Sequence, residues 1–191
     1  MKMRKVLSAL LVAACTLSLA ACGSSSSKNE TTGASGETAA GSANTAKVID
    51  VDLTSEEYAF GVDKTQPELL EQTNTFIQKI KDDGTLDAIC AKYFGDGEPE
   101  AVESAELDSS KDQLVVATNA AFEPFEYTKG DQYYGIDMEI AKLLADELGK
   151  ELVIQNMDFD AVCLSVSQQK CDIAMAGLTI NEERQEYVTF T

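Results

Sequence analysis

The sequence predicts an α/β fold in which a mainly parallel sheet carries helices on both faces. Two observations predict it. From Gln113 onward, short buried-type runs at Leu114–Thr118, Leu152–Ile154 and Asp172–Ala176 alternate with stretches whose apolar residues recur at helical spacing. Strands separated by helices are joined by crossovers, which makes them parallel neighbours and places the helices over the sheet. The second observation concerns residues 48–95, where two further amphipathic helices leave apolar stripes that need a partner.

The chain opens on Lys2, Arg4 and Lys5 ahead of an apolar stretch from Val6 to Ala21, the layout of a secretory signal over residues 1–21. That stretch is short for a bilayer span. It closes in Leu19-Ala20-Ala21-Cys22, which resembles a bacterial lipobox: small residues suit a protease, and the Cys22 thiol takes lipid. Several acyl chains on one cysteine anchor a protein stably, whereas one does so only marginally. Residues 22–47 are therefore expected to be the lipidated cysteine and a flexible spacer, because Gly23 to Ala46 has no aromatic or large aliphatic residue to bury. The expected location is the extracytoplasmic face of the cell membrane, in the periplasm where there is an outer membrane.

Structured sequence begins near Val48. Tyr58–Val62 reads as a short strand, and Pro67 then opens a helix with Leu69, Leu70, Thr73, Phe76, Ile77 and Ile80 on one side. Gly84 ends it, and a second helix follows with Leu86, Ile89, Cys90, Tyr93 and Phe94 before Gly95. Residues 96–112 are acidic, contain Gly97 and Pro99 and lack a sustained apolar period, so they read as a surface linker. In residues 113–191, Ile136, Ile140, Leu143, Leu144 and Leu148 make a helix ended by Gly149. Further helices are expected at about Asp160–Gln168 and Asn181–Gln185, with a strand at Tyr187–Thr191. Residues 48–95 are few for an independent core, so they are expected to dock on 113–191 as one domain.

The formal net charge of the full chain is −18, and losing the basic leader lowers it by three more. Such a surface excludes nucleic acid as a partner and repels anionic lipid, which leaves membrane attachment to the lipid anchor. The chain has no histidine and no C-x-x-C, so neither a metal nor another cofactor is expected. Once Cys15 leaves with the signal and Cys22 is lipidated, Cys90, Cys163 and Cys171 remain. Buried free thiols are the default, with a Cys163–Cys171 bridge as the alternative.

Four motifs carry the functional signal: Asn119-Ala-Ala-Phe122-Glu-Pro124-Phe125, Gly135-Ile-Asp137, Asp158-Phe159-Asp160 and Ala176-Gly177-Leu-Thr179-Ile-Asn-Glu-Glu-Arg184. Three of them follow the C-terminal ends of expected strands, where open α/β sheets bind ligands. Together, over about Gln113 to Phe190, they resemble the type-II solute-binding proteins of polar amino-acid ABC importers, nearest the glutamine-binding receptors. The resemblance implies a periplasmic-binding-protein-like lobe, one of two that close on an amino acid. It implies an extracytoplasmic binding component and not an enzyme, monomeric, with a polar amino acid and an ABC permease in the membrane as partners.

By the same resemblance Arg184 takes the ligand α-carboxylate, as a guanidinium fork suits. Thr179 adds a hydroxyl and a backbone N–H, and the Gly177 carbonyl accepts from the α-ammonium. Phe122 and Phe159 wall the aliphatic part, and Asn119 meets the side-chain end. An acid stands at the Asn119 position in the glutamine receptors, so glutamine specificity does not carry over. Residue by residue, plainer readings stand beside these: a surface arginine, a capping box of Thr179 with Glu182, a core phenylalanine at 159, and Phe125 and Tyr127 as core or rim.

Residues 48–95, with Leu-Thr-Ser-Glu-Glu-Tyr-Ala-Phe-Gly-Val and Asp-Gly-Thr-Leu-Asp-Ala-Ile-Cys-Ala-Lys-Tyr-Phe-Gly, resemble the strand and helices that normally close lobe 1. The order implies a circular permutation, with 113–191 as the main part of lobe 1. The second lobe, which in the family pairs an acid with the α-ammonium, is absent from the chain. Two alternatives differ in class. A dehydratase of the same fold would need an acid or base among Glu123, Glu126 and Asp158, otherwise rim carboxylates. A surface or sensor lipoprotein would have no transport role.

Overall fold

Alternation in Leu114-Val115-Val116-Ala117 sends successive side chains to opposite faces of a sheet, and each face has its own apolar cover. The structure, a computed structural model, describes residue 51 and residues 56–191. The expected signal peptide, the lipidation site Cys22 and the spacer to residue 47 lie outside the described residues. The elements are β1 (Gly61–Asp63), α1 (Pro67–Asp82), α2 (Thr85–Phe94), β2 (Gln113–Thr118), β3 (Ala121–Phe122), β4 (Glu126–Lys129) and β5 (Gln132–Tyr134), followed by α3 (Ile136–Leu148), β6 (Glu151–Asn156), α4 (Phe159–Ser167), β7 (Ile173–Ala174), α5 (Glu182–Gln185) and β8 (Val188–Phe190).

Five strands form one sheet in the order β6-β2-β7-β1-β8. β2 runs parallel to both β6 and β7, while β1 is antiparallel to β7 and β8. The first strand among the described residues thus fills an interior position, and Val62 is fully buried there. Leu114, Val116, Ile154, Ile173 and Met175 face a core shared with α1, α2 and α3. Ala117, Ala174 and Val188 face the other way, onto Val162, Cys163 and Val166 of α4. This is the expected α/β lobe with helices on both faces.

Pro67 occupies the first turn of α1, where its missing N–H costs nothing. The apolar stripes of α1 and α2 are buried through Leu69, Phe76, Ile80 and Ile89. A polar clamp adds direction to this packing. Glu139 of α3 accepts from Lys92 Nζ at 2.7 Å and from Tyr93 Oη at 2.7 Å, and Tyr93 Oη accepts from the Gly135 N–H at 3.0 Å. Burial and the neighbouring Glu139 hold the Tyr93 hydroxyl well above its usual range. Replacing Glu139 with Ala leaves the Tyr93 hydroxyl and the Glu100 N–H without this acceptor and Lys92 with Glu100 alone, and the expected loss is about 1–3 kcal/mol of unfolding free energy, read by urea denaturation.

Three differences from the expected elements have local causes. Residues 121–134 form a second, three-stranded antiparallel sheet, β3-β4-β5, where no strands are expected from the sequence. Its strands are two to four residues long, too short for alternation to register. Residues 96–112 are also more than a surface linker: Val102 is buried and bridges Tyr133, Ala105 N–H donates to Leu152, and Ser104 Oγ accepts from Ile154 N–H. Finally, Asn181 caps α5 by accepting from Arg184 N–H at 2.8 Å, which leaves no capping box for Thr179 and Glu182. Cys90, Cys163 and Cys171 are free thiols, the last two buried and pushed up in pKa by that burial.

Candidate functional site

At the C-terminal ends of β2, β6 and β7 the chain turns away from the sheet, and the turns leave a concavity of about 540 Å³. Small-molecule sites span roughly 300–1,000 Å³, so an amino acid fits. Its lining brings together all six residues named from the sequence: Asn119, Phe122, Phe159, Gly177, Thr179 and Arg184. Glu56, Tyr58 and Glu126 join them from outside that set.

Arg184 reaches in from α5. Its guanidinium lies 5.0 Å from the centroid of the Phe159 ring, and its Nη1 donates to the Thr179 carbonyl at 2.7 Å. Stacking and one fixed hydrogen bond restrain the planar fork, and its other N–H groups stay available to an anion. Among the described residues Arg184 forms no ion pair with a carboxylate, contrary to the surface-pair alternative. Phe159 is partly exposed, and so is not plain core.

Phe122 forms the opposite wall. Its ring stacks on Phe125 with centroids 5.3 Å apart and meets Tyr58 edge-on at 6.4 Å. Gly177 lies behind it with φ of +52°, and a Cβ there would come within 2.9 Å of the Phe122 ring. Glycine is needed on both counts, for the left-handed backbone and for the aromatic wall above it. A Gly177→Ala substitution is expected to cost about 1–2 kcal/mol of stability and to displace Phe122. Thermal unfolding with near-ultraviolet circular dichroism reads both effects.

Two buried acids stand behind Gly177, and of the two only Glu126 lines the concavity. Asp137 is buried at the start of α3 and accepts from the Gly177 N–H at 2.9 Å. Glu126 is fully buried in β4, and neither of its carboxylate oxygens has a hydrogen-bond partner. Burial first and the Asp137 charge second push Glu126 up to about 9, while burial, opposed by the Gly177 N–H, raises Asp137 to about 6. Glu126 is thus neutral at pH 7 and is not a rim carboxylate. Glu123 and Asp158, the other acids considered, are exposed. Of these three acids, only Glu126 lines the concavity.

Asn119 follows β2 and donates through Nδ2 to the Met157 carbonyl at 2.7 Å, which leaves its side-chain oxygen for a ligand. Thr179 Oγ1 donates to Glu56 Oε2 at 2.7 Å, while Tyr58 bridges Thr179 in antiparallel fashion. Sequence reasoning missed Glu56 and Tyr58 because they precede Thr179 by more than 120 positions. Their only sequence signal is membership of the segment that supplies the interior strand β1.

The site has chemistry for a zwitterion: a held guanidinium, an aromatic pair and buried acid. The chain is similar in part to several known proteins. The arginine-binding extracellular protein ArtP of Bacillus subtilis is 37% identical over 84 residues, covering 44% of this chain and 33% of that protein. Cyclohexadienyl dehydratase of Pseudomonas aeruginosa is 37% identical over 79 residues, covering 41% and 30%. Among solved structures, the arginine-bound form of domain 1 from TmArgBP is 37% identical, covering 42% of this chain and 67% of that one, with a TM-score of 0.38. The chain spans about a third of the length of the curated relatives it matches. The lobe is periplasmic-binding-protein-like, and its residues 114–191 match the family described as bacterial extracellular solute-binding proteins, family 3.

Proposed function

We propose that this chain is the substrate-binding component of an ABC importer, anchored by lipid on Cys22 and facing away from the cytoplasm, and that its concavity holds a cationic amino acid. One observation carries the reading. An unpaired carboxyl, Glu126, lies beneath the same concavity into which Arg184 presents its guanidinium. Arg184 and Thr179 take the α-carboxylate, Phe122 and Phe159 sandwich the aliphatic chain, and Asn119 with Glu126 meets a positively charged end. A buried carboxyl without partners is costly when ionised, and a ligand cation offsets that cost. The arginine-binding relatives support the same ligand class.

In this reading β1, α1 and α2 are the closing strand and helices of lobe 1, circularly permuted to the front of residues 113–191. The interior, antiparallel place of β1 between β7 and β8 supports it, since a strand there completes the sheet. A two-lobed receptor would need a second lobe to cover the open side of the concavity. A permease is the corresponding membrane partner, and the anchor keeps the receptor beside it. Among the described residues no helix is long and apolar enough to cross a membrane.

Calorimetric titration of the chain with each of the twenty amino acids tests the reading. Binding of arginine or lysine in preference to neutral residues is expected, and silence with all twenty would refute it. A second reading, a dehydratase, has one specific observation in its favour: Glu126 stays protonated at neutral pH beside the concavity, as a general acid must. Turnover of prephenate, followed by its ultraviolet absorbance, would select that reading.

A further inference from the structure

A zwitterion held on one lobe needs a counter-ion for its ammonium as well as for its carboxylate. In two-lobed receptors of the kind the motifs resemble, that acid comes from the second lobe. Here Glu56 precedes β1, lines the concavity and accepts from Thr179 Oγ1 at 2.7 Å. Thr179 is the residue proposed to take the α-carboxylate, and in an α-amino acid the ammonium branches from the adjoining carbon. An acid seated on Thr179 is therefore beside the place where the ammonium must lie.

The charges of the lining agree. Its ionisable groups, apart from the Tyr58 phenol, are Arg184, Glu56 and Glu126. A cationic amino acid presents one negative and two positive groups, and these three side chains oppose them one for one once the ligand's cation draws Glu126 into its ionised form. With Arg184 on the carboxylate and Glu126 at the far end of the side chain, Glu56 is left for the ammonium.

We propose that Glu56 is the counter-ion of the ligand's α-ammonium, so that both ends of the amino-acid headgroup are held within this lobe. The proposal rests on the receptor reading above. Backbone pairing between Tyr58 and Thr179, with Ala59 N–H donating to the Leu178 carbonyl at 3.0 Å, ties the Glu56 segment to the strand end it serves. The segment that leads into β1 thus brings an acid to the headgroup.

The test compares L-arginine with 5-guanidinopentanoic acid, which lacks only the α-amino group, by calorimetry on the full chain and on Glu56→Gln. The native chain is expected to prefer L-arginine by about fivefold or more, an effect limited by solvent screening at an exposed carboxylate. Glu56→Gln is expected to bind L-arginine more weakly and to lose that preference. A variant that keeps the preference overturns the proposal. So does one that binds L-arginine more tightly, which would make Glu56 a competitor for the Thr179 hydroxyl. If the native chain binds neither compound nor any other amino acid, the receptor reading itself fails and takes this proposal with it.

Discussion

Arg184→Ala is expected to weaken amino-acid binding by about 100-fold while leaving the fold intact. The guanidinium is restrained by the Phe159 ring and by the Thr179 carbonyl. A fork held in this way loses little freedom when it pairs bidentately with a carboxylate. Each charge-assisted hydrogen bond contributes about 1.5–3 kcal/mol, so losing two of them inside a concavity corresponds to at least two decades in Kd. Arg184→Lys keeps the charge but not the fork, and about a tenfold loss is expected. Far-ultraviolet circular dichroism should be unchanged in both variants, because Arg184 belongs to a four-residue helix at the rim. Affinity within threefold of the native chain in Arg184→Ala would remove the carboxylate role.

Glu126→Gln is expected to change two observables in opposite senses. Without ligand, the folded state holds Glu126 protonated up to about pH 9, whereas the unfolded chain ionises it near 4.5. A carboxyl with a raised folded pKa contributes stability that is complete below pH 4.5 and is lost progressively as pH rises to about 9. The slope from one such group is about 1.4 kcal/mol per pH unit. Asp137 acts in the same sense but between 3.8 and about 6. The exposed carboxylates Asp83, Asp108 and Glu151, lowered by hydrogen bonds from Thr85, Ser110 and Lys111, act below about pH 4.5. Between pH 6.5 and 8 the slope from Glu126 is therefore isolated, and Glu126→Gln should flatten it in urea denaturation.

With a cationic ligand the same substitution should weaken binding. In the native chain the ligand's charge favours ionised Glu126, so binding releases a proton. Calorimetry in buffers of different ionisation enthalpy reads that release directly. Native binding without proton release, or a Glu126→Gln variant with undiminished affinity for arginine, would place the ligand's cation elsewhere.

Much of this architecture is legible in the sequence because its helices are strongly periodic. Leu69, Phe76 and Ile80 in α1 and Ile136, Ile140 and Leu144 in α3 are buried where their spacing puts them. Strands β2 and β6 are visible as apolar runs for the same reason. The small sheet β3-β4-β5 is invisible because its strands are held by turns and by cross-strand pairs such as Tyr127 with Tyr134, which leave no period. Val102 shows the converse: one apolar residue in an acidic stretch gives no pattern, yet it fills a hole in the core.

The site divides along similar lines. Asn119, Phe122, Phe159, Gly177, Thr179 and Arg184 are found from motifs, and the fold gathers them because each follows the C-terminal end of a strand or opens the helix beyond one. Glu126 is misjudged from sequence because a carboxylate is ordinarily solvent-exposed, and only the packing of β4 beneath Phe122 and Gly177 shows otherwise. Glu56 has no sequence signal beyond its membership of the segment that supplies β1, since its place depends on where that strand enters the sheet.

Whether this concavity holds a cationic amino acid is read at individual residues by nitrogen-15 NMR during titration with L-arginine. Saturable shifts are expected to concentrate at residues 119–122, 159 and 177–184, with the Arg184 side-chain Nε among the largest. Shifts scattered over the surface, or confined to residues remote from the ends of β2, β6 and β7, would contradict binding there.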